Sequence, residues 1–260
     1  MNDMTRSPVA EAERQVPPLP PLFRAVKTLR HRISGVIARS SRVSNAPVLD
    51  PCDFPWIAGL EAHWPEIREE LDALLAHEDG IPPLAEISPD HRRIAPPGKW
   101  KSFFLYGYGY EVEENIRRCP RTAAAVRDIP GLNSAFFSIL TPGAHIPRHR
   151  GVTKALLTAH LGLIVPSRRE ACTMQVADRF LLWEERRTLV FDDTYHHEVW
   201  NESGERRVVL LIQFRRPTGW LGRKVGDLFL GGVRRSRFVQ DARSSLGRWE
   251  AAMRRLEHEN

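Results

Sequence analysis

The sequence predicts a mainly β domain with flanking helices, folded as a jelly roll in which two antiparallel sheets close over a core. Runs at 155–165, 188–191 and 206–214 carry this prediction, because they are rich in Val, Leu, Ile and Phe with small or polar residues between. A jelly roll lets histidines far apart in sequence meet at the barrel mouth. We therefore expect His149 and His197 to form a metal site.

Length and composition indicate a globular protein without a membrane-spanning segment. With 260 residues, of which 42% are hydrophobic, the chain can bury a substantial core in one large domain with appendages. No apolar run reaches the roughly 18 residues of a membrane span, and residues 1–15 show no signal-peptide pattern. We expect a cytoplasmic protein, with a position at the inner face of the membrane left open. Cys52, Cys119 and Cys172 lack CxxC spacing and are predicted to be free thiols.

The charge balance narrows the choice of partners. The net charge of +6 comes from 38 Lys and Arg against 32 Asp and Glu, and much of the excess lies near the two ends. No nucleic-acid-binding module is recognisable, so nucleic acid is not expected as a partner. The expected partner is a small-molecule, peptide or lipid substrate. Contact of the basic end helices with a membrane surface, and association of two copies of the chain, stay open.

The chain divides into four segments. Residues 1–21 are rich in Pro and polar residues and are predicted to be a disordered leader. Residues 22–48 form a basic amphipathic helix and a linker, 49–217 form the main domain with its core at 100–217, and 218–260 form a basic helical extension. For both end helices, packing on the barrel or on a second copy is favoured over membrane contact.

The main domain begins with helical patterns and continues with strands. Asp53 is the predicted N-cap of one continuous helix whose apolar stripe runs from Ile57 to Leu74. The first strand is predicted at 100–106, a helix interrupted by Cys119-Pro120 at 114–127, and a further strand at 133–140.

The last predicted strand suggests what binds beside the metal. Side chains alternate in a strand, so Arg207 shares one face with Val209, Leu211 and Gln213. If that face points inward, a buried guanidinium needs an anionic partner, and a bidentate carboxylate matches it best. A dicarboxylate cosubstrate that chelates a metal held by His149 and His197 would provide one.

A series of short motifs runs through the same region. They are Phe137-Ser138-Ile139, Pro142-Gly143, His149-Arg150-Gly151, His160-Leu161-Gly162-Leu163-Ile164-Val165-Pro166, Phe191-Asp192-Asp193, His197-Glu198-Val199-Trp200-Asn201 and Arg207. With these motifs, residues 100–217 resemble the catalytic domain of the aspartyl/asparaginyl β-hydroxylase family, whose relatives include bacterial lipid A hydroxylases.

The resemblance implies a fold and a set of site residues. It implies a double-stranded β-helix, or cupin-like, core and a dioxygenase reaction that uses Fe(II), O2 and 2-oxoglutarate as cosubstrate. His149 and His197 would be the iron ligands. Arg207 and Ser138 would hold the distal carboxylate of 2-oxoglutarate, and His160 would contact its other end.

The resemblance says less about the substrate. Trp100 and Asp193 match positions that line the family's substrate channel. The peptide-acting relatives carry arginines where this chain has Leu156 and Thr158, and those arginines help to bind anionic groups. A peptidyl Asp or Asn substrate is therefore in doubt, and Arg150 is a candidate to take over the binding of an anionic group.

One ligand of the usual non-haem iron site is missing. That site joins two histidines to a carboxylate, but Gly151 stands two residues after His149. The open place could hold water, a halide or nothing. The chain is thus predicted to hydroxylate an unactivated C–H bond of an amino-acid, peptide or lipid substrate, with a 2-oxoglutarate-dependent halogenase or a noncatalytic binding barrel as alternatives. His145 and His196 remain alternative ligands, although His196 in a strand would face away from its neighbour.

Overall fold

The computed structural model describes residues 21–88 and 93–258. The predicted leader, apart from Pro21, lies outside the described residues, and Pro21 begins the first helix. The helices are α1 (Pro21–Arg39), α2 (Trp56–Ala62), α3 (Trp64–Leu75), α4 (Leu84–Ile87), α5 (Glu113–Arg118), α6 (Pro120–Arg127), α7 (Trp220–Arg234) and α8 (Arg237–His258).

Short and long strands alternate along the middle of the chain. They are β1 (Val48–Leu49), β2 (Trp100–Gly107), β3 (Tyr110–Glu111), β4 (Leu132–Leu140), β5 (Ala144–His149), β6 (Leu156–Ile164), β7 (Cys172–Val176), β8 (Arg179–Leu182), β9 (Thr188–Phe191), β10 (His197–Asn201) and β11 (Arg207–Arg215).

These strands build two antiparallel sheets. The larger sheet has the order β1-β9-β6-β11-β4-β2-β3 and the smaller the order β5-β10-β7-β8. From β4 to β11 the chain passes back and forth between the sheets, so β4, β6, β9 and β11 lie in one and β5, β7, β8 and β10 in the other. This connectivity is that of a jelly-roll, or double-stranded β-helix, core, and it confirms the predicted fold class.

The strand period divides the core into two layers. On β4, Phe137 and Ile139 face the helices on the outside of the large sheet, where they join a buried cluster with α2 and α3. Leu140, with Ser138 on the same side of the strand, faces the interior between the sheets, where Met174 of the small sheet also lies. The interior between the sheets is therefore lined mainly by side chains of the facing strands.

The predicted helix after Asp53 is two helices, and the predicted N-cap is wrong. Asp53 ends a short 3-10 helix, and Asp50 caps that helix by accepting a hydrogen bond from the amide of Cys52. The chain breaks at His63 because Pro65, in the first turn of α3, has no N–H to continue α2. The apolar stripe is nevertheless buried on both helices, as predicted.

The long predicted strands and the helix interruption at Cys119 are confirmed, whereas the short strands of the small sheet were not predicted. β7 alternates buried and half-buried side chains, the side chains of β8 are exposed or half-buried, and β10 holds only five residues. β7 and β8 form a local hairpin, but β10 pairs with β5 and β7, which lie well before it in the sequence.

The end helices pack on the domain and on each other. α1 lies against α7, and Ile37 of α1 is buried. Val239, Ala242 and Leu246 of α8 are also buried, which agrees with a helix docked on the barrel. No helix in the described part of the chain is long and apolar enough to cross a membrane. The three cysteines are free thiols, as predicted.

Candidate active site

His149 and His197 meet at one end of the interior. His149 ends β5, His197 begins β10, and the two residues are directly paired across these antiparallel strands. Their ring centroids lie 4.0 Å apart with the planes tilted by 57°. Residues separated by a long stretch of chain thus become neighbours because the jelly roll returns β10 alongside β5.

Backbone carbonyls orient both imidazole rings. Nδ1 of His149 donates to the carbonyl of Pro147 at 2.9 Å, and Nδ1 of His197 donates to that of Tyr195 at 3.0 Å. Since a carbonyl oxygen only accepts, Nδ1 carries the proton in each ring and the lone pair is left on Nε2, as in metal-ligating histidines.

Burial keeps these two rings neutral. It lowers the pKa of His149, and burial together with the neighbouring His149 ring lowers the pKa of His197 to about 4. Near pH 7 both rings are therefore uncharged, which is the form that binds a metal ion.

The other histidines considered as ligands point elsewhere. His145 lies on the outer side of β5, where its Nε2 contacts a carboxylate oxygen of Glu198 at 2.7 Å and its ring stacks on Trp200. His196 is exposed just before β10. Within the described residues, no group of three or more His, Cys, Asp or Glu side chains is placed to hold a metal ion. The centre therefore offers the two histidines alone.

Asp193 occupies the space beside Gly151. The amide of Gly151 donates to the carbonyl of Asp193 at 2.7 Å, and a Cβ on Gly151 would lie 2.2 Å from Oδ1 of Asp193. Gln213 of β11 approaches the same carboxyl group from the interior, with Nε2 3.5 Å from Oδ2. Burial, and after it the charge of Asp192, raise the pKa of Asp193 to about 7. The predicted channel residue is thus a partly protonated acid next to the histidine pair.

Arg207 lies inside the barrel, as the strand alternation predicts. Its side chain is 2% exposed, and Nε and Nη1 have no hydrogen-bond partner among the described residues. The guanidinium carbon lies 4.6 Å from the ring centre of Trp183, and the thiol of Cys172 is its neighbour. Burial lowers the pKa of Arg207 to about 10, so the group remains a cation at neutral pH.

His160 lies between Arg207 and the histidine pair. The charges of Arg207 and His197, after the larger effect of burial, hold the pKa of His160 well below its usual range. The indole N–H of Trp183 donates to Nδ1 of His160 at 3.3 Å, so the neutral ring carries its proton on Nε2. That Nε2–H is buried without a partner among the described residues.

Ser138 and Trp100 lie together at the Arg207 end of the interior. The indole N–H of Trp100 donates to Oγ of Ser138 at 3.0 Å, and both residues are buried. Trp100 and Arg207 each pair with Leu140 of β4, on its two sides. Ser138 therefore joins Arg207 as expected. Trp100 lies apart from Asp193 and Arg150, the other predicted substrate residues.

Comparison with known proteins places these features in a family. The family model described as Aspartyl/Asparaginyl beta-hydroxylase matches residues 61–217, which is more than half of the chain. The chain belongs to the aspartyl/asparaginyl beta-hydroxylase family. The resemblance of the motifs between Phe137 and Arg207 is thereby confirmed.

Two curated members of this hydroxylase family show how far the likeness extends. The ornithine lipid ester-linked acyl 2-hydroxylase of Rhizobium tropici is 39% identical over 210 residues, covering 81% of this chain and 75% of the relative. The human aspartyl/asparaginyl beta-hydroxylase is 29% identical over 166 residues, covering 62% of this chain and 21% of the human protein. The chain thus spans about a fifth of the length of the human relative.

Solved structures add a weaker likeness. The cupin domain of Cnp3 from Schizosaccharomyces pombe is similar with a TM-score of 0.32 and 13% identity, covering 48% of this chain and 69% of that one. The assignment of the jelly-roll core rests instead on the strand order of the two sheets.

Sequence reasoning missed several residues of this hydroxylase site. Trp183 contacts both His160 and Arg207, and Cys172 lies beside the guanidinium. Asp192 is fully buried and accepts from Arg216 and Lys154, each at 2.5 Å. The only signal for Asp192 was its place in the motif before His197, and nothing near Trp183 in the sequence marks it as an interior residue.

The geometry of the histidine pair predicts that substitutions of His149 and His197 reduce Fe(II) affinity, whereas substitution of the neighbouring His196 does not. His149→Ala and His197→Ala should each weaken Fe(II) binding by at least tenfold, because a two-histidine centre has no spare protein ligand. His196→Ala is the matched control, because this neighbour of His197 is exposed. Anaerobic titration with Fe(II) measures the affinities, and wild-type affinity in the His197 variant would refute the assignment.

Asp193 predicts a pH dependence of folding stability. A carboxyl group with a raised folded-state pKa contributes stability that is complete below its unfolded pKa, about 3.9, and is lost as pH rises through the folded value, about 7. The metal-free wild type should therefore lose up to about 1.4 kcal/mol per pH unit across this window relative to Asp193→Asn. Urea unfolding from pH 5 to 8 measures the difference, and parallel curves for the two proteins would contradict it.

Proposed function

We propose that this chain is an Fe(II)- and 2-oxoglutarate-dependent dioxygenase that hydroxylates an unactivated C–H bond in the acyl chain of a lipid. One observation carries the cofactor part of the proposal. Two N–H groups of the buried cation Arg207 and the Nε2–H of His160 have no hydrogen-bond partner among the described residues, in the same interior in which two neutral histidines present their lone pairs.

The donor set fits the proposed cosubstrate. An unpaired guanidinium in a dry interior is costly unless a ligand supplies the negative charge, and a carboxylate matches its planar donors. Arg207 and Ser138 would hold one carboxylate of 2-oxoglutarate, and His160 would donate its Nε2–H to the other end. His149 and His197 would bind Fe(II) through Nε2. When bound, iron with 2-oxoglutarate and O2 supplies the oxidising power to hydroxylate a C–H bond and releases succinate and CO2.

The chain's own residues orient the groups that would bind the cosubstrate and exclude water from the space around them. Trp183 donates to Nδ1 of His160 and so fixes the tautomer of this ring. The proton of His160 is therefore on Nε2, which has no hydrogen-bond partner among the described residues. Phe191 packs edge-on against both His160 and His197, with centroids at 5.1 and 5.6 Å, and keeps water from the space between them. In such an apolar enclosure the attraction between Arg207 and a carboxylate is stronger than it would be in water.

A lipid substrate is supported by a relative and by two residues. The bacterial relative that this chain matches over most of both lengths is named an ornithine lipid ester-linked acyl 2-hydroxylase. Leu156 and Thr158, both buried on β6, replace the arginines that peptide-acting relatives carry. Leu156 offers apolar surface and Thr158 a small uncharged side chain, and neither can pair with an acidic peptide side chain as an arginine would.

Halogenation is the less supported alternative. A halide at the metal would use the place left by the missing carboxylate at Gly151, but the carboxyl group of Asp193 fills the space against that residue. A halide there would compete with an acid of the same charge when Asp193 is ionised.

The proposed reaction predicts a coupled pair of products. Purified protein loaded anaerobically with Fe(II) and 2-oxoglutarate, then exposed to O2 with the lipid fraction of a cell extract, should release succinate and yield a lipid heavier by one oxygen. His197→Ala is the control, and the peptide fraction is the competing substrate pool. Absence of iron-dependent succinate indicates a noncatalytic barrel, a chlorinated product a halogenase, and a product only from peptides a different substrate class.

The burial of Arg207 predicts that its removal weakens 2-oxoglutarate binding without reducing the stability of the ligand-free protein. Arg207→Met should weaken 2-oxoglutarate binding by at least tenfold, because a buried charge-assisted pair contributes roughly 2–5 kcal/mol. Fe(II) affinity should hold, since the histidines are untouched. The ligand-free variant should be as stable as the wild type or more so, because it no longer buries an unpaired cation. Calorimetric titration and urea unfolding test both parts, and unchanged 2-oxoglutarate affinity would refute the role of Arg207.

A further inference from the structure

A second, more open cavity lies outside the histidine pair. It has a volume of about 160 Å³ and is lined by Arg30, His31, Ser34, Arg150, Gly151, Val152, Lys154 and Thr194. One wall comes from α1 and the other from the loop that follows His149. The cavity therefore adjoins the candidate iron centre but opens on the solvent side of it.

The charged side chains that line this cavity are cations, and the carboxyl groups of Asp192 and Asp193 lie behind Lys154 and Gly151. Arg30, Arg150 and Lys154 are cations, and no Asp or Glu is among the lining residues. Lys154 is already paired with Asp192 at 2.5 Å. Arg30 and Arg150, by contrast, make no ion pair or hydrogen bond with any residue in the described ranges 21–88 and 93–258. Two guanidinium groups thus face one small space with their donors open.

The α1 wall lies outside the segment that matches the family model, which begins at residue 61. α1 is nevertheless tied to the domain, since the amides of Arg42 and Gly219 bond to the carbonyls of Pro217 and Ser40 around its C-terminal end. Arg30 is half-buried in this position. The cavity therefore needs α1 as well as the segment that matches the family model.

We propose that Arg30 and Arg150 bind the anionic headgroup, a phosphate or carboxylate, of an amphiphilic substrate whose acyl chain runs from this cavity toward the histidine pair. Two guanidinium groups provide the forked donors that such oxygens accept in pairs. Val152, 55% exposed at the rim, offers apolar surface to the start of the chain. This assignment rests on the proposed function, which supplies the lipid whose headgroup the two arginines bind.

Single charge-removing variants test the site directly. Arg30→Gln and Arg150→Gln should each weaken the binding of octyl phosphate by roughly tenfold, as expected for loss of one charge-assisted hydrogen-bonding group. Arg32→Gln on α1 and Arg148→Gln on β5 are matched controls, because both residues are exposed and neither lines the cavity. Each control changes the net charge of the protein equally, so a general electrostatic effect would weaken binding in all four variants and overturn the proposal.

The source of the anion is resolved by comparing probes in the full chain. Calorimetric titration is done with octyl phosphate, inorganic phosphate and the neutral octyl glucoside, and is repeated in the Arg207→Met variant so that any binding in the Arg207 region is recognised. Tight binding of octyl phosphate alone supports a lipid headgroup, whereas equal affinity for inorganic phosphate assigns the site to a free anion. Equal affinity for octyl glucoside overturns the anionic assignment.

Failure of this proposal is distinguishable from failure of the proposed function. The titrations need neither iron nor turnover, so they report the cavity alone. Iron-dependent succinate release without any effect of Arg30→Gln on octyl phosphate affinity would overturn the headgroup site and leave the dioxygenase standing. Arginine-dependent binding without succinate release would do the reverse.

Discussion

A cation is held between the two sheets with no acid to neutralise it. The guanidinium of Arg207 is buried, and its nearest described neighbours are an indole, a thiol and an imidazole. Desolvating such a group costs several kcal/mol even after relaxation, so it opposes folding of the ligand-free chain. The large hydrophobic layer between the sheet and α2 and α3 stabilises the fold against that cost. The interior layer is thereby free to serve binding, and sites of this kind commonly reduce stability where they enable function.

The loops at the open end depend on a second buried charge, which does have partners. Asp192 accepts from Arg216 after β11, from Lys154 before β6 and from Thr194 in its own turn, and its amide donates to the carbonyl of Pro47. One carboxylate thus ties together three segments of the chain. Tyr195, which orients His197, lies in the same turn. The geometry of the histidine pair is therefore set by a polar cluster and by strand pairing together.

The sequence was informative where a signal is local and silent where it is not. The alternation around Arg207 gave the correct inward face because a strand has a fixed period of two. The break between α2 and α3 was missed because the apolar stripe continues across it, although Pro65 at the start of a helix is a recognisable signal.

The contacts of Trp183 show the limit of local signals. This residue follows the short, largely exposed strand β8, yet its indole is 1% exposed and lies between His160 and Arg207. Only the closure of the small sheet over the large one brings these residues together. The hairpin of β7 and β8 is local, but the small sheet also needs the pairing of β10 with β5 and β7, which no short stretch of sequence specifies.

Gly151 and Asp193 pack against each other so closely that the side chain of one restricts the other. A Cβ at residue 151 would lie 2.2 Å from Oδ1 of Asp193. The Asp193 carboxyl group therefore occupies the space that a side chain at residue 151 would need. Gly151 has no positive φ, so the requirement for glycine here is one of close approach and not of backbone conformation. A carboxylate introduced at 151 would meet the existing one before it reached the metal, and two acids in contact would raise each other's pKa. A third protein ligand at this position is thus excluded for as long as Asp193 keeps its place, and the two-histidine centre follows from the packing of the loops around it.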